Sequence, residues 1–252
     1  MLCQLVKNAH CKKSQAESIE TCCQLLRQTQ LLDPSPAILR EYSKSSVAKS
    51  SVANSSVANS SVATRLGERG ENSAALVKSI LSDDTTAAAY TSWLKELTPA
   101  ELDEIGILQG AVGDSLFAVR KKGESFPAPI LSDGTLRFAA IAAAFFQPEP
   151  PHTLMIEEIE NGLHPTRLRL LLELLKSQSA RGKPQVMATS HSPQVPAWLT
   201  KDDFNTTFLY RKDEDTGAST ISPLSEVPGF LDLAREQPAA DLFAEGWLEG
   251  AV

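Results

Sequence analysis

Apolar residues recur at two spacings along this chain. Ile19 to Leu26 carries them at helical intervals, and Asp33-Pro34-Ser35-Pro36 closes that run. Pro36 to Tyr42 begins a second short helix, and Ala75 to Leu81 and Ala87 to Leu97 also read as helices. Thr98-Pro99-Ala100-Glu101 has the form of a helix start, with Thr98 as cap and Glu101 three residues on. Ser115 to Arg120 suits a strand, and Lys121 to Glu124 suits a turn. From Ser132 onward the order is turn, helix, strand, helix, strand, helix, strand, which argues for an α/β layer with parallel strands. Pro228 to Trp247 reads as two helices, with Leu231, Leu233, Leu242, Phe243 and Trp247 as packing residues.

Four zones follow. Residues 1–44 are an N-terminal segment, partly helical. Residues 45–63 repeat the unit Ser-Ser-Val-Ala-Asn or a near variant about four times. A period of five keeps Val47, Val52, Val57 and Val62 on no fixed helix face, so the zone reads as a flexible insertion. Residues 64–130 form a helical and strand region, and residues 131–252 a C-terminal lobe.

Composition narrows the picture. The chain has 252 residues, 42% apolar and 22% charged, which fits a water-soluble globular protein. Its formal net charge is −7, so it has no global electrostatic footprint for nucleic acid. Cys3, Cys11, Cys22 and Cys23 all fall in the first 23 residues at spacings that match no usual zinc pairing. A reducing cytoplasm is the expected compartment. The longest apolar run, Phe138 to Phe146, is about half of what a membrane span needs, and no signal peptide is visible.

Three loops carry candidate chemistry. Leu131 to Arg137 precedes an apolar helix that Ser132 can cap, while Gly134 removes bulk at its entrance; free N–H groups there suit a phosphate. Thr153 to Glu158 is an apolar run ending in two carboxylates, followed by Glu160-Asn161-Gly162-Leu163-His164-Pro165. Ligands of open α/β sheets bind at such strand ends. Glu157 suits a Mg²⁺ shell, and Glu158 can polarise a water for attack on a phosphate. Gln185 to Ser190 reads as a second short buried strand, ending at His191-Ser192-Pro193. A βαβ crossover brings two such ends together. Arg167, Arg169, Lys176, Arg181 and Lys183 lie on or beside the intervening helix and read as a solvated face.

In this order the three loops resemble the predicted ATPases of the AAA family with ABC-type architecture, which are similar to the heads of DNA-recombination and structural-maintenance ATPases. The resemblance covers roughly residues 30–44 and 64–252. Leu131 to Thr135 resembles the signature loop, Leu154 to Glu158 the Walker B strand, Glu160 to Pro165 the D-loop and His191 the switch histidine. Thr64 to Asn72 resembles the stretch before the family's helical insertion. The implied fold is the C-terminal part of a P-loop NTPase of ABC type, with parallel strands flanked by helices. The implied ligands are ATP and Mg²⁺, held between two heads of a homo- or hetero-dimer. Carried over, Ser132, Asp133, Gly134, Asn161 and Gly162 face the nucleotide and Glu157 serves Mg²⁺. Glu158 positions the water, and His191 senses the γ-phosphate. Glu157 stands where aspartate is more usual. DNA enters as a partner by family analogy alone.

One half of the site is missing. No Gly-x4-Gly-Lys-Ser/Thr occurs; the only Gly-Lys pair, Gly182-Lys183, is followed by Pro184. The phosphate loop is therefore expected from a missing N-terminal portion or a partner, and the strands at Thr153 and Gln185 are expected to leave an unpaired edge. The alternatives are a non-hydrolysing module that lends its signature loop in trans, or an inactive fragment.

Overall fold

A computed structural model describes residues 13–43, 63–98, 102–111, 113–182, 184–212 and 217–250. The expectations for Cys3, Cys11, the repeat at 45–62, Pro99 to Glu101 and Lys183 lie outside these residues. The chain forms two compact units, Met1–Thr189 and Ser190–Val252.

The first unit runs α1 (Lys13–Arg27), β1 (Thr29–Leu32), α2 (Pro36–Leu39), α3 (Ser73–Ile80), α4 (Asp84–Leu97), β2 (Glu104–Gln109), β3 (Ser115–Lys121) and β4 (Glu124–Pro127). It continues with α5 (Asp133–Phe146), β5 (Thr153–Ile156), α6 (Pro165–Ser179) and β6 (Gln185–Ala188). β1, β5 and β6 form a parallel sheet in that order; β6, expected to be buried, is largely exposed because it is an edge strand. β2, β3 and β4 form an antiparallel meander. Lys122 and Gly123 join β3 to β4 with both φ angles positive, at 50° and 83°, the twist that a two-residue hairpin requires.

Two elements depart from the sequence pattern. β1 was not expected at all, and it makes β5 the central strand, so β1 and β6 are the two edges of this sheet and β5 is paired on both sides. Thr98 ends a helix rather than starting one: it is the C-cap of α4, and its hydroxyl donates to the Leu94 carbonyl at 3.2 Å. The strand Glu104–Gln109 follows.

The core of this unit is built around α5. Its residues from Gly134 to Phe145 are all buried, because helices α2, α3, α4 and α6 all pack on it. Tyr90 of α4 is fully buried, and its hydroxyl donates to the Ala139 carbonyl at 3.0 Å; burial raises its pKa far above the usual phenol value. At the other end of α4, Asp83 caps the helix. The Thr86 hydroxyl and then the Thr86 N–H hold its carboxyl below the ordinary aspartate value. Gln30, Gln147 and Leu66 close a buried ring. The Gln30 amide donates to the Leu66 carbonyl, the Leu66 N–H to Gln147 Oε1, and the Gln147 amide to Gln30 Oε1, all at 2.8–2.9 Å. That ring ties β1 to the end of α5.

The second unit runs α7 (Gln194–Ala197), β7 (Phe208–Lys212), β8 (Ser219–Pro223), α8 (Phe230–Glu236), α9 (Ala239–Ala244) and α10 (Trp247–Gly250). The expected third parallel strand is instead β7, paired antiparallel with β8 in a separate ribbon. Phe204, Leu224, Val227, Phe230, Leu242 and Leu248 form its core, with Phe204 and Phe230 edge to face at 4.9 Å. Leu233, Phe243 and Trp247 pack against that core as expected. Leu231 does not: it is 44% exposed, and Phe230 takes the inward position.

The two faces of β5 differ, and so do their sensitivities. Leu154→Ala, at a fully buried position, is expected to lower unfolding free energy by ~2–5 kcal/mol. Met155→Ala, on the half-open face, is expected to lower it by ~1 kcal/mol or less. Urea titrations of both variants followed by circular dichroism check the contrast.

Candidate functional site

Ser132 begins the site. Its extended backbone (φ −67°, ψ 151°) makes it the N-cap of α5, and its hydroxyl accepts the Thr135 N–H at 3.2 Å. Ser132 and Asp133 stay exposed while Gly134 is buried. A side chain at Gly134 has no room: a Cβ there lies 2.8 Å from the Gly162 carbonyl and 3.2 Å from Arg167 Nη1. The signature-like loop and the loop after β5 are thus in direct backbone contact. Gly162 itself sits at φ +71°, a left-handed conformation that suits glycine.

Two arginines hold this corner. Arg167, in the first turn of α6, donates through Nη1 to Ser132 Oγ at 2.9 Å and Thr135 Oγ1 at 3.3 Å. Arg40 Nη2 donates to the Leu131 carbonyl at 3.0 Å and pairs with the Asp133 carboxylate. The expectation of a purely solvated basic face on α6 is therefore corrected at Arg167, whose head turns inward. It holds at Arg169, which forms an exposed pair with Glu173 one turn along.

A third arginine carries the connection to the carboxylates. Arg137, one turn into α5, is 2% exposed. Its Nη1 donates to Asp33 Oδ1 at 3.0 Å and the Pro34 carbonyl at 2.9 Å. Its Nη2 donates to the carbonyls of Glu157 at 2.9 Å and Glu158 at 3.3 Å. A buried guanidinium keeps its charge and needs such acceptors.

Glu157 and Glu158 stand exposed just past the end of β5. The Glu157 N–H donates to the Leu32 carbonyl at 3.3 Å. Glu158 adopts φ +45°, rare for a residue with a side chain. Its backbone is fixed from three sides. Its N–H donates to Thr189 Oγ1 at 3.1 Å, and its carbonyl accepts from Arg137 and from the Asn161 N–H at 2.8 Å. The strained φ is held by bonds to both the N–H and the carbonyl of Glu158.

The structure therefore brings Ser132, Asp133, Gly134 and Gly162 into one corner, with Asn161 in the adjoining turn. It links Glu157 and Glu158 to that corner through Arg137. His191 opens the second unit, two residues after Thr189, and is exposed. Among the described residues no three His, Cys, Asp or Glu side chains form a metal cage. Glu157 alone still fits Mg²⁺, which keeps several waters and takes one or two carboxylates plus substrate phosphates. Sequence reasoning missed Arg40, Arg137, Arg167 and Thr189. Arg137 was the detectable one, because a single arginine opens an otherwise apolar stretch up to Phe146.

Removing the buried guanidinium is expected to be costly. Arg137→Ala should lower unfolding free energy by ~3 kcal/mol or more, since charged hydrogen bonds to buried acceptors are lost. Asp33→Asn should cost ~1 kcal/mol or less, because the Asp33 side chain is 48% exposed. Denaturant midpoints for the two variants check this order.

Among known proteins, an "ATP/GTP phosphatase" of Helicobacter pylori (strain ATCC 700392 / 26695) is 35% identical over 74 residues, 28% of this chain and 20% of that relative. The chain thus matches about a fifth of that relative's length. Two solved structures overlap 64% of this chain. One comes from work on ATP-driven dimerization and DNA stimulated activation of SMC ATPases, with 94% of that chain covered, TM-score 0.44 and 13% identity. The other is the Pyrococcus furiosus Smc head domain bound to the C-terminal domain of ScpA, with 41% covered, TM-score 0.39 and 12% identity. Both overlaps are partial, so the fold assignment rests on the sheet itself and on the family. Residues 26–195 match the family described as "AAA domain, putative AbiEii toxin, Type IV TA system", and this chain belongs to that family of AAA domains.

Proposed function

We propose that this chain supplies the signature and carboxylate half of an ATP-hydrolysing site. The observation that carries the reading is the three-sided clamp on Glu158. A residue held at φ +45° by Thr189, Arg137 and Asn161 is over-determined in a way that a solvated strand end does not require. Membership of the AAA family and the identity to an ATP/GTP phosphatase support the same chemistry.

In this reading Glu158 orients and polarises the attacking water, and Glu157 contributes to the Mg²⁺ shell. Mg²⁺ supplies charge neutralisation of the phosphates when bound. Ser132, Asp133 and Gly134, with Asn161 and Gly162 beside them, face the nucleotide of an opposing head through the open N–H groups of α5. Arg167 fixes the rotamer of the Ser132 hydroxyl. His191 bonds the terminal phosphate. Another ATPase head, identical or related, completes the dimer. DNA is a downstream partner by analogy, and the cytoplasm is the compartment; no helix among the described residues is long and apolar enough to cross a membrane.

A second reading has its own observation. The sequence holds no Gly-x4-Gly-Lys-Ser/Thr, so the chain by itself lacks the lysine and N–H nest that grip the β- and γ-phosphates. It then acts as a non-hydrolysing module that lends its signature loop to a partner.

ATP binding and turnover by the purified chain, with Glu158→Gln beside it, decide between these. The chain alone is expected to turn over no ATP. With a partner head that carries the phosphate loop, turnover is expected to appear and to fall at least ~100-fold in Glu158→Gln. Turnover by the chain alone that disappears in Glu158→Gln shows a complete site and sinks the half-site proposal. Partner-dependent turnover that survives Glu158→Gln favours the non-hydrolysing module.

A further inference from the structure

One guanidinium grips the chain on both sides of Ser132. Arg40 Nη2 donates to the Leu131 carbonyl at 3.0 Å and pairs with the Asp133 carboxylate. Leu131 and Asp133 are the residues immediately before and after Ser132. Arg40 is itself fixed from two directions. It is the C-cap of α2, which packs on α5. Three residues on, Ser43 exchanges backbone hydrogen bonds with Ser115 at the start of β3, at 2.7 and 2.9 Å.

The pair adds little to stability. The Arg40 side chain is 31% exposed and that of Asp133 is 59% exposed, and ion pairs this open are weak. What the pair changes is the charge of the corner. Asp133 lies in the first turn of α5, where a carboxylate takes up the positive potential of the helix N-terminus. An incoming phosphate needs that same potential. Arg167 does not restore it alone. Arg167 bonds the neutral hydroxyls of Ser132 and Thr135, and an unpaired Asp133 offsets its single charge. With Arg40 in place Asp133 is neutralised, and the corner keeps the positive charge of Arg167.

We infer that Arg40 is a positioning residue for the nucleotide, acting through Asp133: it cancels a carboxylate that otherwise repels phosphate beside Ser132. The inference rests on the reading above, in which this corner faces a nucleotide. Like charges a few ångströms apart near a protein surface repel strongly enough to change affinity ~10-fold or more. The role belongs to charge before shape, because the loop has supports that do not involve Arg40. The Ser132 hydroxyl accepts the Thr135 N–H, and Gly134 is placed by its close approach to Gly162. The net charge of Arg40, Asp133 and Arg167 together therefore predicts how each substitution acts.

The test is titration of the full chain with ATP, followed by NMR at the backbone amides of Gly134 and Thr135. In the unmodified chain both amides are expected to shift and saturate. Arg40→Gln is expected to weaken ATP at least ~10-fold, and the loss is expected to shrink as salt rises, because screening relieves the repulsion. Asp133→Asn removes the repelling charge and is expected to bind ATP more tightly than the unmodified chain. The double variant Arg40→Gln with Asp133→Asn has the original net charge at the corner and is expected to return to within ~3-fold of the original affinity. A purely structural role for Arg40 gives no such rescue and no salt dependence. Arg40→Gln that binds ATP as the unmodified chain does overturns the inference. So does a double variant no better than Arg40→Gln, which assigns Arg40 to loop geometry. Asp133→Asn that weakens ATP as much as Arg40→Gln also overturns it, by making Asp133 a contact of the ligand. In these three outcomes the amides still report ATP, and the nucleotide reading of the corner stands. No shift of either amide with ATP in the unmodified chain or any variant counts against that reading and overturns the inference with it.

Discussion

The buried charge of Arg137 is the constraint on which the site depends. A guanidinium cannot shed its proton inside a protein, so a chain that places one at 2% exposure must surround it with acceptors. Here those acceptors come from two separate stretches: Asp33 and Pro34 after β1, and the carbonyls of Glu157 and Glu158 after β5. The arginine itself stands one turn into the helix that Ser132 caps. One side chain thus fixes the distance between the signature-like helix and the backbone of the carboxylate loop. The left-handed backbone of Glu158 follows, because its carbonyl is drawn to Arg137 and its N–H to Thr189. Asp33 adds less, being half exposed; the carbonyls define the geometry.

Close approach is the second constraint, and glycine makes it possible. The carbonyl of Gly162 lies where a side chain on residue 134 would begin. The loop after β5 can therefore press against the first turn of α5 only because residue 134 has no Cβ. Arg167 then fills the space beside it and bonds the Ser132 hydroxyl. Gly134 and Gly162 thus bring the candidate nucleotide-facing residues into one corner by steric need.

The sequence was legible where pattern and local chemistry agree. Ser132 reads as a helix cap and is one; Thr153 to Ile156 reads as a buried strand with carboxylates at its end and is such a strand on one face only, with Leu154 and Ile156 buried and Met155 exposed. It was illegible where long-range bonds decide. Thr29 to Leu32 has four residues and a glutamine in the middle, which is no strand signal. It is a strand because Gln30 finds Gln147 and the Leu66 carbonyl across the fold. Thr98 and Glu101 have the letters of a capping box, yet Thr98 bonds backwards to Leu94 and ends its helix. Arg167 sits among basic residues on a surface helix, and only the position of Ser132 turns it inward. Phe208 to Lys212 follows the strand-helix order that suggests a further parallel strand, but it pairs antiparallel with Ser219 to Pro223 in a separate ribbon.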